Sequence, residues 1–196
     1  MKYKLIIAKS HFLYIIWFYF ILKKKNKKLK LPEKGDSLYF DGYPRSGNTY
    51  TFGLIYRVFP SLHCNVSHHL HAKIPLKMAL NKNVKSIIII RKPDDAIVSY
   101  LFSKKEHYFK DNTVLNSLVL QYKEYYDYVL KNINNLRIIN FDEFVKGEQE
   151  VLKGIEKYTG RSSQVNLGEH VDGYIDFKYF LRDYKNRMGN FQKIQS

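Results

Sequence analysis

Leu38-Tyr39-Phe40-Asp41-Gly42-Tyr43-Pro44-Arg45-Ser46-Gly47-Asn48-Thr49-Tyr50, continuing Thr51-Phe52-Gly53-Leu54-Ile55-Tyr56-Arg57-Val58-Phe59, decides the fold of this chain. Leu38 to Phe40 is a short aromatic run that suits a buried strand. Gly42, Pro44 and Gly47 punctuate a tight loop. Tyr50, Leu54, Ile55 and Val58 then recur as one face of a helix, which Pro60 ends. A strand, a glycine loop and a helix in that order make a phosphate cradle. The loop presents backbone N–H groups and the helix N-terminus adds its dipole.

The loop has two readings. Gly42 and Gly47 stand five apart, as in G-x-x-x-x-G-K-[ST], and Thr49 fills the last place. Asn48 stands where that pattern needs a lysine, which argues against a kinase or NTPase. Placed differently, Tyr43-Pro44-Arg45-Ser46-Gly47-Asn48-Thr49-Tyr50 resembles the 5′-phosphosulfate loop of sulfotransferases, roughly Y-P-K-S-G-T-T-W. The basic residue there precedes the serine and glycine, as Arg45 does.

Val84-Lys85-Ser86-Ile87-Ile88-Ile89-Ile90 reads as a central parallel strand, buried on both faces. Pro93 sits where the next helix starts, with Asp94 and Asp95 in its first turn. Arg91 ends the strand where a nucleotide-hydrolysing enzyme wants a metal-binding aspartate. A cation at that edge suits an anion. Arg91, Pro93, Asp95, Val98, Ser99 and Tyr100 match, in register, the second sulfotransferase signature, R-N-P-x-D-x-x-V-S-Y. The chain is therefore identified as resembling sulfotransferases that use 3′-phosphoadenosine 5′-phosphosulfate (PAPS), over about Leu31 to Gly160.

The resemblance implies an α/β fold: a three-layer, P-loop-like parallel sheet flanked by helices. It implies that Arg91 and Ser99 hold the 3′-phosphate of PAPS or its product PAP. Arg45 and the loop Ser46, Gly47, Asn48, Thr49 and Tyr50 would hold the 5′ end, Arg45 standing where the family's lysine stabilises the leaving group. Phe141-Asp142-Glu143-Phe144 resembles the family's Y-E-D-L segment, with Phe141 facing the adenine or packing in the core. A late lid segment is matched by Tyr184 to Gln192, with Lys185, Arg187 and Gly189 as nucleotide contacts, although its first glycine and Asp-Trp pair are changed. The acceptor is a hydroxyl or amine, on a glycan, a lipid or a small molecule.

The acceptor must lose a proton, and a histidine is suited to take it. The family's K-T-H-x-P segment, aligned on Pro75, puts Lys73 at the base position, so the motif is not intact. His69 and His71 are the candidates, on the view that both point to one face of a strand end while His68 points away. Three histidines in four residues also suggest a metal, but no acidic or cysteine ligand lies close by in sequence, and no metal is expected.

Composition fits this reading. The 196 residues suit one domain with a real core. Lys plus Arg is 33 against 18 for Asp plus Glu, so the formal charge is +15 and polyanionic partners are expected. No RNA-binding motif organises the 17 tyrosines, and no nucleic-acid partner is expected. Cys64 is the one cysteine, which excludes an internal disulfide framework and a cysteine zinc site.

The remaining elements follow from pattern. Ala72 to Leu80 is a short helix or loop, and Thr113 to Leu130 a helix with Leu115, Leu118, Val119, Tyr122, Tyr125, Tyr126 and Val129 on its apolar side. Leu136 to Asn140 is a strand, and Glu148 to Tyr158 a helix capped by Gly160. Residues 1–30 form an apolar N-terminal helix and a basic linker ahead of the domain 31–196. Residues 5–22 are mostly apolar, but the unbroken part, Phe12 to Leu22, is 11 residues, too short to span a bilayer alone. Six lysines follow between Lys23 and Lys30, and no small-residue cleavage site marks a signal peptide. The segment inserts, lies on an anionic membrane, or packs on the domain; if it inserts, the basic flank keeps the rest of the chain cytoplasmic, and a cytoplasmic location is expected.

Overall fold

The computed structural model describes residues 10–25, 29–62, 66–103 and 112–163. Four parallel strands form one sheet: β1 (Leu38–Gly42), β2 (Val66–His68), β3 (Ser86–Ile90) and β4 (Arg137–Asn140), in the spatial order β2-β1-β3-β4. The helices are α1 (His11–Trp17), α2 (Asn48–Val58), α3 (Lys73–Asn81), α4 (Pro93–Phe102), α5 (Asn112–Lys131), α6 (Phe141–Lys146) and α7 (Glu148–Thr159).

Strand side chains alternate between two faces, and each face has its own core. Tyr39 and Ile88 pack with residues of α1, α3, α4 and α5, among them Tyr14, Phe18, Leu76, Ile97 and Val129. Leu38, Phe40, Ile87, Ile89 and Ile139 pack with α2, α6 and α7 through Ile55, Val58, Phe144, Leu152 and Ile155. The result is the expected three-layer α/β fold. The chain leaves β1 over one face to reach β2, then crosses over the other face to β3 and on to β4. These crossovers share one hand, as parallel β-crossover-β units do. The strand order reverses between β1 and β3, and ligands of such sheets bind outside the carboxyl ends at that switch point.

The elements follow the sequence signals with small shifts. Pro93 is the first residue of α4, and Asp94 and Asp95 occupy its first turn. β2 is shorter than its histidine-rich stretch suggests, ending at His68. On α5, Leu118, Tyr125, Tyr126 and Val129 are buried, but Leu115 and Val119 are exposed. Those two lie outside the narrower stripe that the sheet covers. The segment Phe141–Lys146 is a helix, with the Asn140 side chain accepting from Asp142 N–H at its start.

α1 starts at Ser10, whose hydroxyl accepts from Leu13 N–H. The helix runs on through a π-helical turn, Phe18–Leu22, into Lys23–Lys25. Tyr14 and Phe18 are buried against the domain, and the Tyr14 hydroxyl donates to the Leu70 carbonyl. No helix among the described residues is long and apolar enough to cross a membrane.

The twin cores make a quantitative expectation. Ile88, fully buried in the central strand, loses both transfer energy and packing when cut to alanine. Ile88→Ala is expected to destabilise by about 2–5 kcal/mol in denaturant melts. Val98→Ala, on the exposed side of α4, should stay within about 0.5 kcal/mol.

Candidate functional site

The loop after β1 is folded by hydrogen bonds to its own chain and to α5. Ser46 N–H donates to the Tyr43 carbonyl at 3.1 Å, and Asn48 Nδ2 donates to the same oxygen at 2.9 Å. The Tyr126 hydroxyl donates to the Ile89 carbonyl (2.9 Å), accepts from Tyr43 N–H (3.1 Å), and lies 3.4 Å from Ser46 Oγ. One phenol thus ties the β1 loop to β3. The Tyr43 ring in turn packs edge-on against Tyr122, and its hydroxyl donates to the Leu118 carbonyl.

Two glycines are required. Gly42 sits so close to β3 that a Cβ would meet the Ile89 carbonyl and side chain. Gly47, with φ of +85°, precedes α2, and a Cβ there would run into the Phe141 ring. The first turn of α2 therefore begins directly after a left-handed residue. Ser46 is fully buried and its N–H is taken, while the N–H groups from Gly47 to Tyr50 precede the first intrahelical bond of α2, Thr51 N–H to the Gly47 carbonyl.

Two arginines and a serine meet beside this turn. Arg45 Nε donates to Ser99 Oγ at 3.2 Å, and Arg91 Nη1 donates to the Arg45 carbonyl at 3.1 Å. The Arg91 guanidinium stands over the Phe141 ring at 5.3 Å, and its Nε is buried with no partner among the described residues. The Tyr122 hydroxyl donates to the Arg91 carbonyl at 2.6 Å, fixing the backbone behind the cation. Among the described residues neither arginine pairs with a carboxylate. Two cations that meet no carboxylate among the described residues, a hydroxyl and a helix N-terminus thus converge at the β1–β3 switch point, an arrangement of a chemistry suited to an anion. The Asn48 side-chain oxygen and the Thr51 hydroxyl are buried without partners among the described residues.

The histidines lie on the other side of β1. β2 ends at His68, so alternation along a strand does not orient His69 and His71. Instead both adopt left-handed backbone, with φ of 56° and 49°. Of four non-glycine residues with positive φ among the described residues, three (Arg45, His69 and His71) lie at this sheet edge. Such strain gathers at functional sites. His68 does not point away: its Nδ1 is 2.6 Å from His69 Nδ1, and its ring stacks on Phe52 at 4.0 Å.

Both His69 nitrogens are engaged, Nδ1 with His68 and Nε2 with Thr49 Oγ1 at 3.2 Å. Burial, helped by the nearby His71 and His68 charges, pushes its pKa down to about 3. His71 differs. Its Nδ1 lies 2.7 Å from the Gly42 carbonyl and 3.0 Å from Asp41 Oδ1, both acceptors. Burial alone would lower its pKa, but the Asp41 charge and these hydrogen bonds raise it above the ordinary value. Asp41 carries no signal in the two sequence signatures; its one mark is a charge inside an apolar strand run. Among the described residues no group of three His, Cys, Asp or Glu side chains is arranged to hold a metal ion.

Tyr50 lies apart from the cations. Its ring packs edge-on against Phe144 and its hydroxyl donates to Glu148 Oε1. Phe141 covers Gly47 and Arg91. Lys185, Arg187 and Gly189 lie outside the described residues.

The loop's dependence on one phenol is testable. Tyr126→Phe keeps the packing of α5 but leaves Tyr43 N–H and the Ile89 carbonyl without a buried partner. A loss of about 1–3 kcal/mol in denaturant melts is expected.

Among solved structures, a mouse sulfotransferase, SULT7A1, complexed with PAP, is similar at 22% identity, with a TM-score of 0.47. The similarity covers 66% of this chain and 61% of that one, so the chain spans about three fifths of that neighbour. No curated protein matches the sequence. The family model described as "Sulfotransferase domain" matches residues 57–196, which takes in the Arg91–Ser99 segment and begins after the Arg45 loop. On that match, over more than half its length, the chain belongs to the sulfotransferase domain family.

Proposed function

We propose that the protein is a PAPS-dependent sulfotransferase that sulfates a hydroxyl (or amine) group on a glycan, lipid or small molecule. The observation that carries this reading is the convergence of Arg45, Arg91 and Ser99 at the sheet's switch point. Cations that meet no carboxylate among the described residues, and a buried Arg91 Nε with no partner among them, fit a nucleotide bearing a 3′-phosphate and a 5′-phosphosulfate. When bound, PAPS supplies a sulfuryl group whose S–O bond to the 5′-phosphate breaks as an S–O bond to the acceptor forms, leaving PAP. In this reading Arg91 and Ser99 hold the 3′-phosphate, while Arg45 and the N–H groups of Gly47, Asn48 and Thr49 hold the 5′ end. Preorganised charge of this kind is usually the largest catalytic contribution. Lys185, Arg187 and Gly189 are assigned to the nucleotide lid. His71 takes the acceptor's proton on Nε2; His69, with both nitrogens engaged and a pKa near 3, is the poorer base.

Calorimetric titration with PAP tests the nucleotide site. The wild type is expected to bind PAP with ATP much weaker, and Arg91→Ala/Ser99→Ala to lose about a hundredfold or more in affinity, since hydrogen bonds to charged groups contribute about 1.5–3 kcal/mol each. Transfer of sulfate from PAPS to an acceptor panel would complete the case. PAP binding without transfer points to a non-catalytic binder, and magnesium-dependent ATP hydrolysis to a kinase or NTPase. No PAP binding by folded protein overturns the reading.

We further propose that residues 1–30 attach the domain 31–196 to an anionic membrane surface on the cytoplasmic side. α1 is apolar on both sides. Tyr14 and Phe18 face the core, while Phe12 (71% exposed), Ile16, Tyr19 and Phe20 (66%) form an outward stripe at i, i+4, i+7 and i+8. Lys23 continues that stripe, and the lysine cluster supplies charge complementary to anionic lipid. Co-sedimentation with vesicles checks this. The protein is expected to pellet with phosphatidylserine-containing vesicles and to be released by Phe12→Ser/Phe20→Ser. Equal recovery in the supernatant with anionic and neutral vesicles would refute it.

A further inference from the structure

The Asp41 carboxylate is fully buried at the carboxyl end of β1, and four donors converge on it. Oδ2 accepts from the Tyr39 hydroxyl at 2.8 Å and from His71 N–H at 2.6 Å. Oδ1 accepts from Gly42 N–H at 2.9 Å and faces His71 Nδ1 at 3.0 Å. A carboxylate is suited to this post because it only accepts; an amide would point N–H groups at fixed N–H donors. Burial alone would push the Asp41 carboxyl up, but the His71 charge and the hydrogen bonds from His71, Tyr39 and Gly42 outweigh it and hold it below the ordinary range.

For His71 the consequence is a fixed tautomer. The Asp41 oxygen and the Gly42 carbonyl can only accept, so Nδ1 carries a proton whether the ring is charged or neutral. Nε2 makes no hydrogen bond among the described residues and is the one nitrogen that gains and loses a proton. A buried acid that orients an imidazole and stabilises its charged form is a recurring way to make histidine an effective base. The left-handed backbone of His71, with φ of 49°, is held in part by the same carboxylate through His71 N–H.

We propose that Asp41 is a positioning residue for the transfer step: it clamps His71 by backbone and ring, keeps Nδ1 protonated, and leaves Nε2 as the basic nitrogen. This rests on the sulfotransferase reading and on His71 as its base. As the acceptor's O–H bond breaks, its proton goes to Nε2 and its electron pair goes to the new O–S bond; Asp41 exchanges no proton. The titratable groups facing His71 are Asp41 on β1, His68 on β2 and His69 in the loop, while Tyr14, Tyr39, Tyr125 and Tyr126 face Asp41.

The test reads His71 directly, without PAPS. In protein carrying 15N-labelled histidine, with resonances assigned by a His71→Gln variant, long-range 1H–15N spectra report tautomer and titration. Wild-type His71 is expected to be protonated on Nδ1 when neutral and to titrate above the ordinary value of about 6.5. Asp41→Asn should lower that midpoint and weaken the Nδ1 preference. It should also reduce kcat about a hundredfold or more, the scale of general-base catalysis, with PAP affinity unchanged. Because Asp41→Asn puts an amide among fixed donors and can fail to fold, Tyr39→Phe provides a second arm. Removing one donor makes the carboxylate more basic, so the His71 midpoint and the acidic limb of the pH–rate profile should both move to higher pH. An Nε2-protonated neutral His71, or a midpoint that moves in neither variant, overturns the proposal. Coupling in the spectra with no sulfate transfer by the wild type would instead sink the enzymatic reading and leave the Asp41–His71 clamp standing.

Discussion

Everything at the candidate site depends on how closely β1 and β3 approach at their carboxyl ends. Gly42 is paired with Ile89 in parallel register, and the space beside it admits no side chain. That contact brings the loop after β1 and the residue after β3 to one edge. Arg91 can then donate to the Arg45 carbonyl, and one phenol, Tyr126, can bridge both strands. Any side chain at position 42 would wedge the strands apart and separate the two arginines.

The edge collects opposite charges on opposite sides of β1. Toward β3, two guanidiniums that pair with no carboxylate among the described residues stand beside a helix N-terminus. Toward β2, a buried carboxylate binds a histidine. Each arrangement is costly by itself, since like charges repel and a buried carboxylate loses its hydration. Each becomes favourable with the right partner. Asp41 has its partners within the chain, with four donors on two oxygens. Among the described residues the arginines have carbonyl, hydroxyl and ring contacts and no carboxylate, a setting suited to an anion.

Several expectations from sequence changed in three dimensions. His69 and His71 look equivalent on a strand, but β2 stops at His68 and both residues turn left-handed. His69 is then enclosed by His68 and Thr49, while His71 alone reaches Asp41. Ser46 and Tyr50 belong to the phosphate-loop signature, yet one is buried against Tyr126 and the other reaches Glu148. Each result turns on partners distant in sequence, which no local pattern encodes.

The sequence by itself determined the strand–loop–helix unit, the buried isoleucine strand, the proline start of α4 and the two signatures that carry the family resemblance. These are local matters: glycine tolerates the turn, β-branched runs suit a buried strand, and proline suits the first helical turn. Only the tertiary structure decided that Arg45 and Ser99 touch across 54 positions, that Phe141 covers Gly47, and that Asp41, within an apolar strand, holds His71. The physical reason is that hydrogen-bond partners and burial are set by which strands pair and in what register. That pairing is a property of the whole packed chain.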